Sequence, residues 1–310
     1  MPNEATAEAS PAARLAPPAV DPGGAAWTRR LTTGAMLLPT YGILAISVFL
    51  PLAVMAFFSI LKRSPFDPGP LTFTIDNYLV FARRPYLIDV AWTSIQLGLW
   101  TTGACVAIGL PAALALAKAT RGQSQKILFF LIILPFWSNG LVRIFSWTMV
   151  LRDGGVLDYA YHQLFPSAAP LGLLYSFPAI VIGLVHAYLP YMILTCYLSV
   201  SAIDDQFLEA ARSLGARWPT LFLKIILPLA MPGIVAGSVL IFVPVIGSFM
   251  EPRILGGKTG VTMGTVIEDQ FTQAFNWPLG SAMSFVMLGF ILVLFGVFAG
   301  ALKTRNHAAA

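Results

Sequence analysis

The chain has 310 residues, of which 57% are hydrophobic and 11% charged, and its formal net charge is +5. With a mean hydropathy of +0.77 it is excluded from the soluble domains of ordinary make-up, in which about 25% of residues are charged. The basic balance does not call for nucleic acid, because basic residues beside apolar spans follow from membrane topology. The two cysteines, Cys105 and Cys196, lie inside apolar stretches, and no histidine stands at ligand spacing, so neither a disulfide framework nor a metal site is expected.

Residues 1–30 are rich in alanine and proline and poor in large apolar side chains. Such a segment cannot bury enough surface to fold alone, and it predicts a disordered tail. A first transmembrane helix is expected over 31–62, where the apolar run from about 34 to 61 is too long for a signal-peptide core and has no convincing cleavage site. A loop over 63–90 follows, and then spans at 91–117, 127–151, 177–200, 225–250 and 281–302, with a short tail at 303–310. At about 1.5 Å per residue each span is long enough to cross a hydrocarbon core of about 30 Å. Strands would leave backbone groups unpaired in lipid, and no alternating pattern is visible, so an all-α membrane protein with six transmembrane helices is predicted. Pro39, Pro51, Pro111, Pro135, Pro190 and Pro244 fall inside these spans and predict kinks.

Basic loop residues set the expected orientation. With both termini cytoplasmic, the inner segments hold eleven lysines and arginines against seven outside, and the short loop 118–126 holds three with no acid. The expected location is the cell inner membrane, crossed several times.

The stretch 204–228 differs from everything around it, because it is long and amphipathic. Asp204 and Asp205 can cap a helix start, where carboxylates satisfy free backbone N–H groups and favour the positive end of the helix dipole. Phe207, Ala211 and Leu214 recur at helical spacing as an apolar ridge, Glu209, Arg212 and Ser213 are polar, and Gly215 is a natural left-handed stop. Pro219 suits the first turn of a second helix over 218–226 that runs into the next span. The predicted unit is helix, glycine turn, helix, at a membrane surface.

Glu209-Ala210-Ala211, then Gly215, then Ile225 and Leu227-Pro228, resembles the EAA loop of ABC importer permeases, with every signature position filled. Leu134-Pro135-Phe136-Trp137-Ser138-Asn139 with Leu141-Val142-Arg143-Ile144, Met231-Pro232-Gly233-Ile234, Gly256-Gly257 and Trp277-Pro278-Leu279-Gly280 are similar to the spermidine/putrescine permease family, over about 40–300. The resemblance implies the type I importer permease fold, with 204–226 as a cytoplasmic coupling-helix loop. Phe207, Glu209, Ala210, Ala211, Leu214 and Gly215 would then dock on an ATP-hydrolysing subunit. It further implies two ATPase subunits, a second related permease and an extracytoplasmic solute-binding protein as partners, and a polyamine as solute. Arg253 and Asn276 stand where an acid is expected in some polyamine permeases.

Arg143 is the charged residue well inside a span. Its burial costs about 2.5–3.5 kcal/mol on insertion scales, which is met either by a gate-like pairing with Glu251 or Asp153, or by a structural contact or snorkelling. Glu251, Phe249, Trp137, Tyr188 and Tyr191 are candidates for lining a solute path, since carboxylates and aromatic faces suit an amine through ion pairing and cation–π contact. The aromatics fit an interfacial belt equally. Gly257-Lys258-Thr259 resembles the end of a P-loop, yet position 252 is Pro252 rather than glycine, so no phosphate cradle is expected. With no catalytic constellation and no cofactor motif, the chain reads as a transport subunit and not an enzyme. The alternatives are a stand-alone ion-coupled transporter or channel, which predicts inverted repeats or acids deep in the spans, and a permease for another small organic solute.

Overall fold

The computed structural model describes residues 22–308 other than 67 and 168, and side chains from 37 to 296 apart from 67, 81, 82 and 168. It comprises two units, one running to Met55 and one from Ala56 onward. The first unit consists of helix α1 (Pro22–Ser59), whose last turn belongs to the second. Its apolar part, Leu37–Ser59, has 23 residues and a mean hydropathy of 2.3. The helix starts at Pro22, where a fixed φ suits a first helical position. The part of the expected disordered tail from 22 to 30 is therefore helical, and 1–21 lies outside the described residues.

The second unit opens with a tight reversal in which Leu61 and Phe73 bridge antiparallel and the Asn77 side chain donates to the Ser59 and Leu61 carbonyls at 3.0 and 2.8 Å. Helices α2 (Asp76–Arg83) and α3 (Tyr86–Leu114) follow, and α3 continues through a π turn, Ala115–Ala119. Then come α4 (Gly122–Ile133), α5 (Gly140–Leu151), α6 (Val156–Leu164) and α7 (Phe177–Ser201). The short α8 (Asp205–Ser213) precedes α9 (Trp218–Leu221), which passes through a second π turn, Phe222–Ile226, into α10 (Leu227–Ile246). The chain closes with α11 (Met250–Gly256), α12 (Met263–Thr272) and α13 (Trp277–Ala308).

Among the described residues five helices are long and apolar enough to cross a membrane, or six if a bent pair forms one span. That pair replaces the single span expected at 127–151, with its kink at Pro135, by two limbs with a full break between them. Helix α4 ends in a tight turn, Leu134–Trp137, Ser138 and Asn139 are extended, and α5 sets off at 97° to the first limb. The cause is local: Asn139 caps α5 by accepting a hydrogen bond from the Leu141 N–H at 2.8 Å, which ends one helix and starts another.

Helices α3, α7 and α10 form the core around Leu97, Leu110, Leu184, Met192 and Ile241, all buried. Between helices in lipid there is no hydrophobic drive to associate, so close van der Waals contact and small residues matter more. At Gly233 a Cβ would stand 2.4 Å from the Thr195 carbonyl oxygen, so only glycine lets α10 approach α7 this closely. A second cluster, Leu87, Val90, Met263, Leu279 and Met283, joins the start of α3 to α12 and α13. There the Ser94 hydroxyl accepts from the Met263 N–H at 2.8 Å. Helix α7 thus separates two ends of this unit by about 37 Å of helix, with α8 following one end and α11 packed beside the other.

Candidate functional site

At the α8 end the expected helix, glycine turn and helix are all present. The Asp204 carboxylate accepts from the Gln206 N–H at 2.9 Å and fixes the start of α8. Gly215 takes φ +84, its N–H donates to the Arg212 carbonyl at 2.9 Å, and the Ala216 N–H donates to the Ala211 carbonyl at 3.0 Å. These two bonds satisfy the last carbonyls of the helix and require a left-handed residue at 215. Nothing lies within 4 Å of a Cβ built there, so the glycine is needed for its backbone and not for space.

The apolar ridge is narrower than the helical spacing predicts. Leu214 is 90% exposed and Phe207 66% exposed, and both stand free on the surface. Ala211 is instead half-buried against this chain's own core, beside the buried Leu208. Glu209 and Ala210 are exposed. Five of the six expected docking residues therefore line the accessible surface, and Ala211 is turned partly inward because Leu208 anchors that flank of the helix.

Position in the sequence alone did not reveal what holds α8 in place. Lys118, in the π turn that ends α3, donates through Nζ to the Ile203 carbonyl and, at 2.7 Å, to the Asp205 carboxylate. Arg121 approaches the other Asp205 oxygen at 3.6 Å. The Lys118 hydrogen bond and charge, helped by Arg121 and Arg212, hold the Asp205 carboxyl below the usual carboxylate range. The partners lie 87 residues apart in the chain.

The solute-path candidates divide: Glu251 and Phe249 lie at the opposite end, with α11, whereas Tyr188 and Tyr191 lie midway along α7. Tyr191 stacks edge-on with Phe136 at 4.6 Å and lies 6.1 Å from Tyr188, whose hydroxyl is within Coulombic reach of Glu251 and Arg143. Glu251, in the first turn of α11, accepts from the Ser248 hydroxyl at 2.7 Å. Trp137 is outside this group: it is 78% exposed and its ring meets Phe130 instead. Phe249 lines a separate hollow of about 480 Å³ with Glu268, Phe271 and Met287.

Arg143 sits in the first turn of α5, after the break, and is half-buried. Among the described residues its guanidinium forms no ion pair within 4.0 Å with Glu251 or Asp153. Arg253, in contrast, is paired: it donates to Glu268 and, at 2.6 Å, to Asp269, so that α11 is tied to α12. Asp269 foremost, then Glu268, raises the guanidinium above its ordinary value. The three groups together carry one net negative charge.

A membrane bundle of this form, with an exposed helix–glycine–helix loop at one end, defines an importer permease subunit. Residues 106–307 match the family described as the binding-protein-dependent transport system inner membrane component, and the chain belongs to that family. The spermidine/putrescine transport system permease protein PotB of Escherichia coli (strain K12) is 35% identical over 263 residues, which cover 84% of this chain and 95% of that protein. The crystal structure of a bacterial ABC transporter involved in import of the acidic polysaccharide alginate has a chain that superposes with a TM-score of 0.67 at 18% identity, covering 90% of this chain and 96% of that one. The same transporter in complex with its alginate pentasaccharide-bound periplasmic protein gives a TM-score of 0.67 at 17% identity over the same shares. These likenesses fix the fold as that of an ABC importer permease and the location as the inner membrane.

Proposed function

We propose that this chain forms half of the membrane pathway of an ATP-driven importer whose solute is a polyamine of the spermidine/putrescine class. The observation that carries the reading is the Glu251 carboxylate within Coulombic reach of the Tyr188 hydroxyl, with the Tyr191 ring 6.1 Å from that of Tyr188. A carboxylate offers ion pairing, and an aromatic face adds about 0.5–2 kcal/mol of cation–π attraction to an ammonium as it is desolvated. The similarity to PotB supports the same solute class.

The arginine that replaces an expected acid at 253 weighs less against a cation than its charge implies. It is taken up by Glu268 and Asp269, so this end offers a passing amine no free guanidinium from that position. Arg143 remains a positive charge close to Tyr188, and it fits a residue that keeps an amine from resting in the path.

In this reading α8 faces the cytoplasm with both termini, and it docks on one of two ATPase subunits through Phe207, Leu214 and their neighbours. A second, related permease completes the pathway, and an extracytoplasmic solute-binding protein delivers the solute. ATP-driven closure of the ATPases moves α8, and the bundle alternates its opening between the two sides. The test is reconstitution of the complete complex in liposomes. Putrescine or spermidine with the binding protein should stimulate ATP hydrolysis and be taken up, and Glu251→Gln should lower amine uptake about tenfold. Stimulation by an anionic solute with none by either amine would overturn the assignment.

A further inference from the structure

We propose that Lys118 is the positioning residue that fixes the coupling helix to the bundle, so that movement of α8 is passed to α3 and α7 together. This rests on the reading of α8 as the ATPase-docking element. One ammonium group joins three elements: it is carried by the end of α3, it caps the Ile203 carbonyl just beyond α7, and it binds Asp205 in the first turn of α8. The carbonyls that follow a helix and a carboxylate both carry negative charge, so the cation satisfies each of them. Only 18% of the Lys118 side chain is exposed, against 87% for Arg121 on the same carboxylate, so Lys118 is the shielded and better-defined contact.

The backbone around Lys118 is built for this contact. A π turn is a local departure from α geometry that concentrates at functional positions, and here it re-aims the end of α3 toward α8. The Leu116 carbonyl within it is satisfied by the Thr120 hydroxyl at 2.8 Å and the Gln125 amide at 3.0 Å. The second π turn, Phe222–Ile226, lies just beyond the other side of the loop, where the chain enters α10. The loop is therefore bordered on both sides by local irregularities, while the contact that bridges it to α3 and α7 is made by Lys118. About 35 Å along α3 from Lys118, Ser94 accepts from the Met263 N–H of α12. Helix α3 thus runs from the coupling loop to the end that carries Glu251 and Phe249.

The experiment uses the full complex with its ATPase and binding protein in liposomes, and reads solute taken up per ATP hydrolysed. Lys118→Met should retain the ATPase on purification, because Phe207 and Leu214 are untouched, and should lower the ratio about fivefold or more. Lys118→Arg should keep most of it. Asp205→Asn should give a similar loss, and the loss in the double variant should be clearly less than the product of the two single losses, since both remove the Lys118–Asp205 contact. A normal ratio in Lys118→Met, loss of the ATPase from that variant, or additive losses in the double variant would each overturn the proposal. Leu214→Asp separates it from the reading beneath it: a complex that keeps its ATPase with Leu214→Asp removes α8 as the docking element, whatever Lys118 does.

Discussion

At the α8 end, two large apolar side chains, Phe207 and Leu214, stand on a short polar helix, 66% and 90% exposed among the described residues. At the α11 and α12 end the polar groups are consumed internally: Arg253 by Glu268 and Asp269, Glu268 also by the Thr272 hydroxyl, Asp269 by the Gln273 amide, and Glu251 by Ser248. The first end leaves apolar surface unspent, which suits a permanent protein partner. The second pairs its charges internally, and its four charged groups, Glu251 included, leave two net negative charges, which suits a transient cationic visitor better than a tight one. A transporter has to hold its motor firmly and its solute loosely, and the two ends differ in that sense.

The largest expected effect breaks the first half of the comparison. Leu214→Asp or Phe207→Asp puts a charge where an apolar side chain meets a partner's groove, and truncation of such anchors costs about 2 kcal/mol or more of binding. Each variant should insert normally and lose the ATPase during co-purification. Retention of the ATPase at wild-type yield would show that these side chains are exposed to no purpose.

Next in size is Gly215→Val. With φ at +84, a β-branched side chain there costs about 1–2 kcal/mol or more, while Gly215→Asn, which tolerates the left-handed region, should cost less. Open space around the position means that the whole effect is backbone. The measurement is ATPase binding by the two variants side by side; equal binding would mean that the loop can adopt another turn. Ala211 is a poorer probe than the ridge predicted, because a bulky residue there strikes this chain's own core before it reaches a partner.

The difference between the two ends also sorts what was legible in the sequence. The helix–glycine–helix unit was, because its signals are local: an Asp204 cap, a glycine stop eleven residues later and Pro219 opening the next helix. The 97° break before α5 was legible only as a kink at Pro135, since a hydropathy window averages across Ser138, Asn139 and Gly140 although these three are ordinary cap and turn residues. The pairings of Lys118 with Asp205 and of Arg253 with Glu268 and Asp269 depend on tertiary distance and have no local signal. For the same reason sequence grouped Trp137 and Phe249 with Tyr188 and Tyr191, although the Trp137 ring meets Phe130 of its own limb.

A smaller effect is expected from Arg253→Ala, because each member of its network keeps about a quarter to two-fifths of its surface in contact with solvent. Pairs of this exposure contribute about 1 kcal/mol or less, though here three groups are linked. The variant should lower thermal stability modestly and release Glu268 and Asp269 as free acids. Amine-stimulated ATP hydrolysis should then show a lower apparent affinity constant for the solute, that is, tighter binding and slower turnover. An unchanged solute dependence would mean that the network is structural only.

The smallest effect is one of pH, and it separates Asp205 from a merely solvated acid. Lys118 first, with Arg121 and Arg212, holds its folded-state carboxyl below the usual range, whereas in the unfolded chain it titrates near about 3.9. A carboxyl depressed on folding contributes stability that is fully present above its unfolded value and is lost as pH falls through its folded one. Between pH 8 and about 5 the Asp205 contact should therefore be constant. The difference in melting temperature between the wild type and Asp205→Asn should be flat across that range and should close only below about pH 4. The group is solvent-accessible and the closing will be shallow, so the comparison needs the asparagine variant at every pH rather than the wild type alone. A difference that persists unchanged to pH 3 would mean that the charge on Asp205 plays no part in holding α8. An effect that vanishes already near pH 6 would assign the titration to some other group.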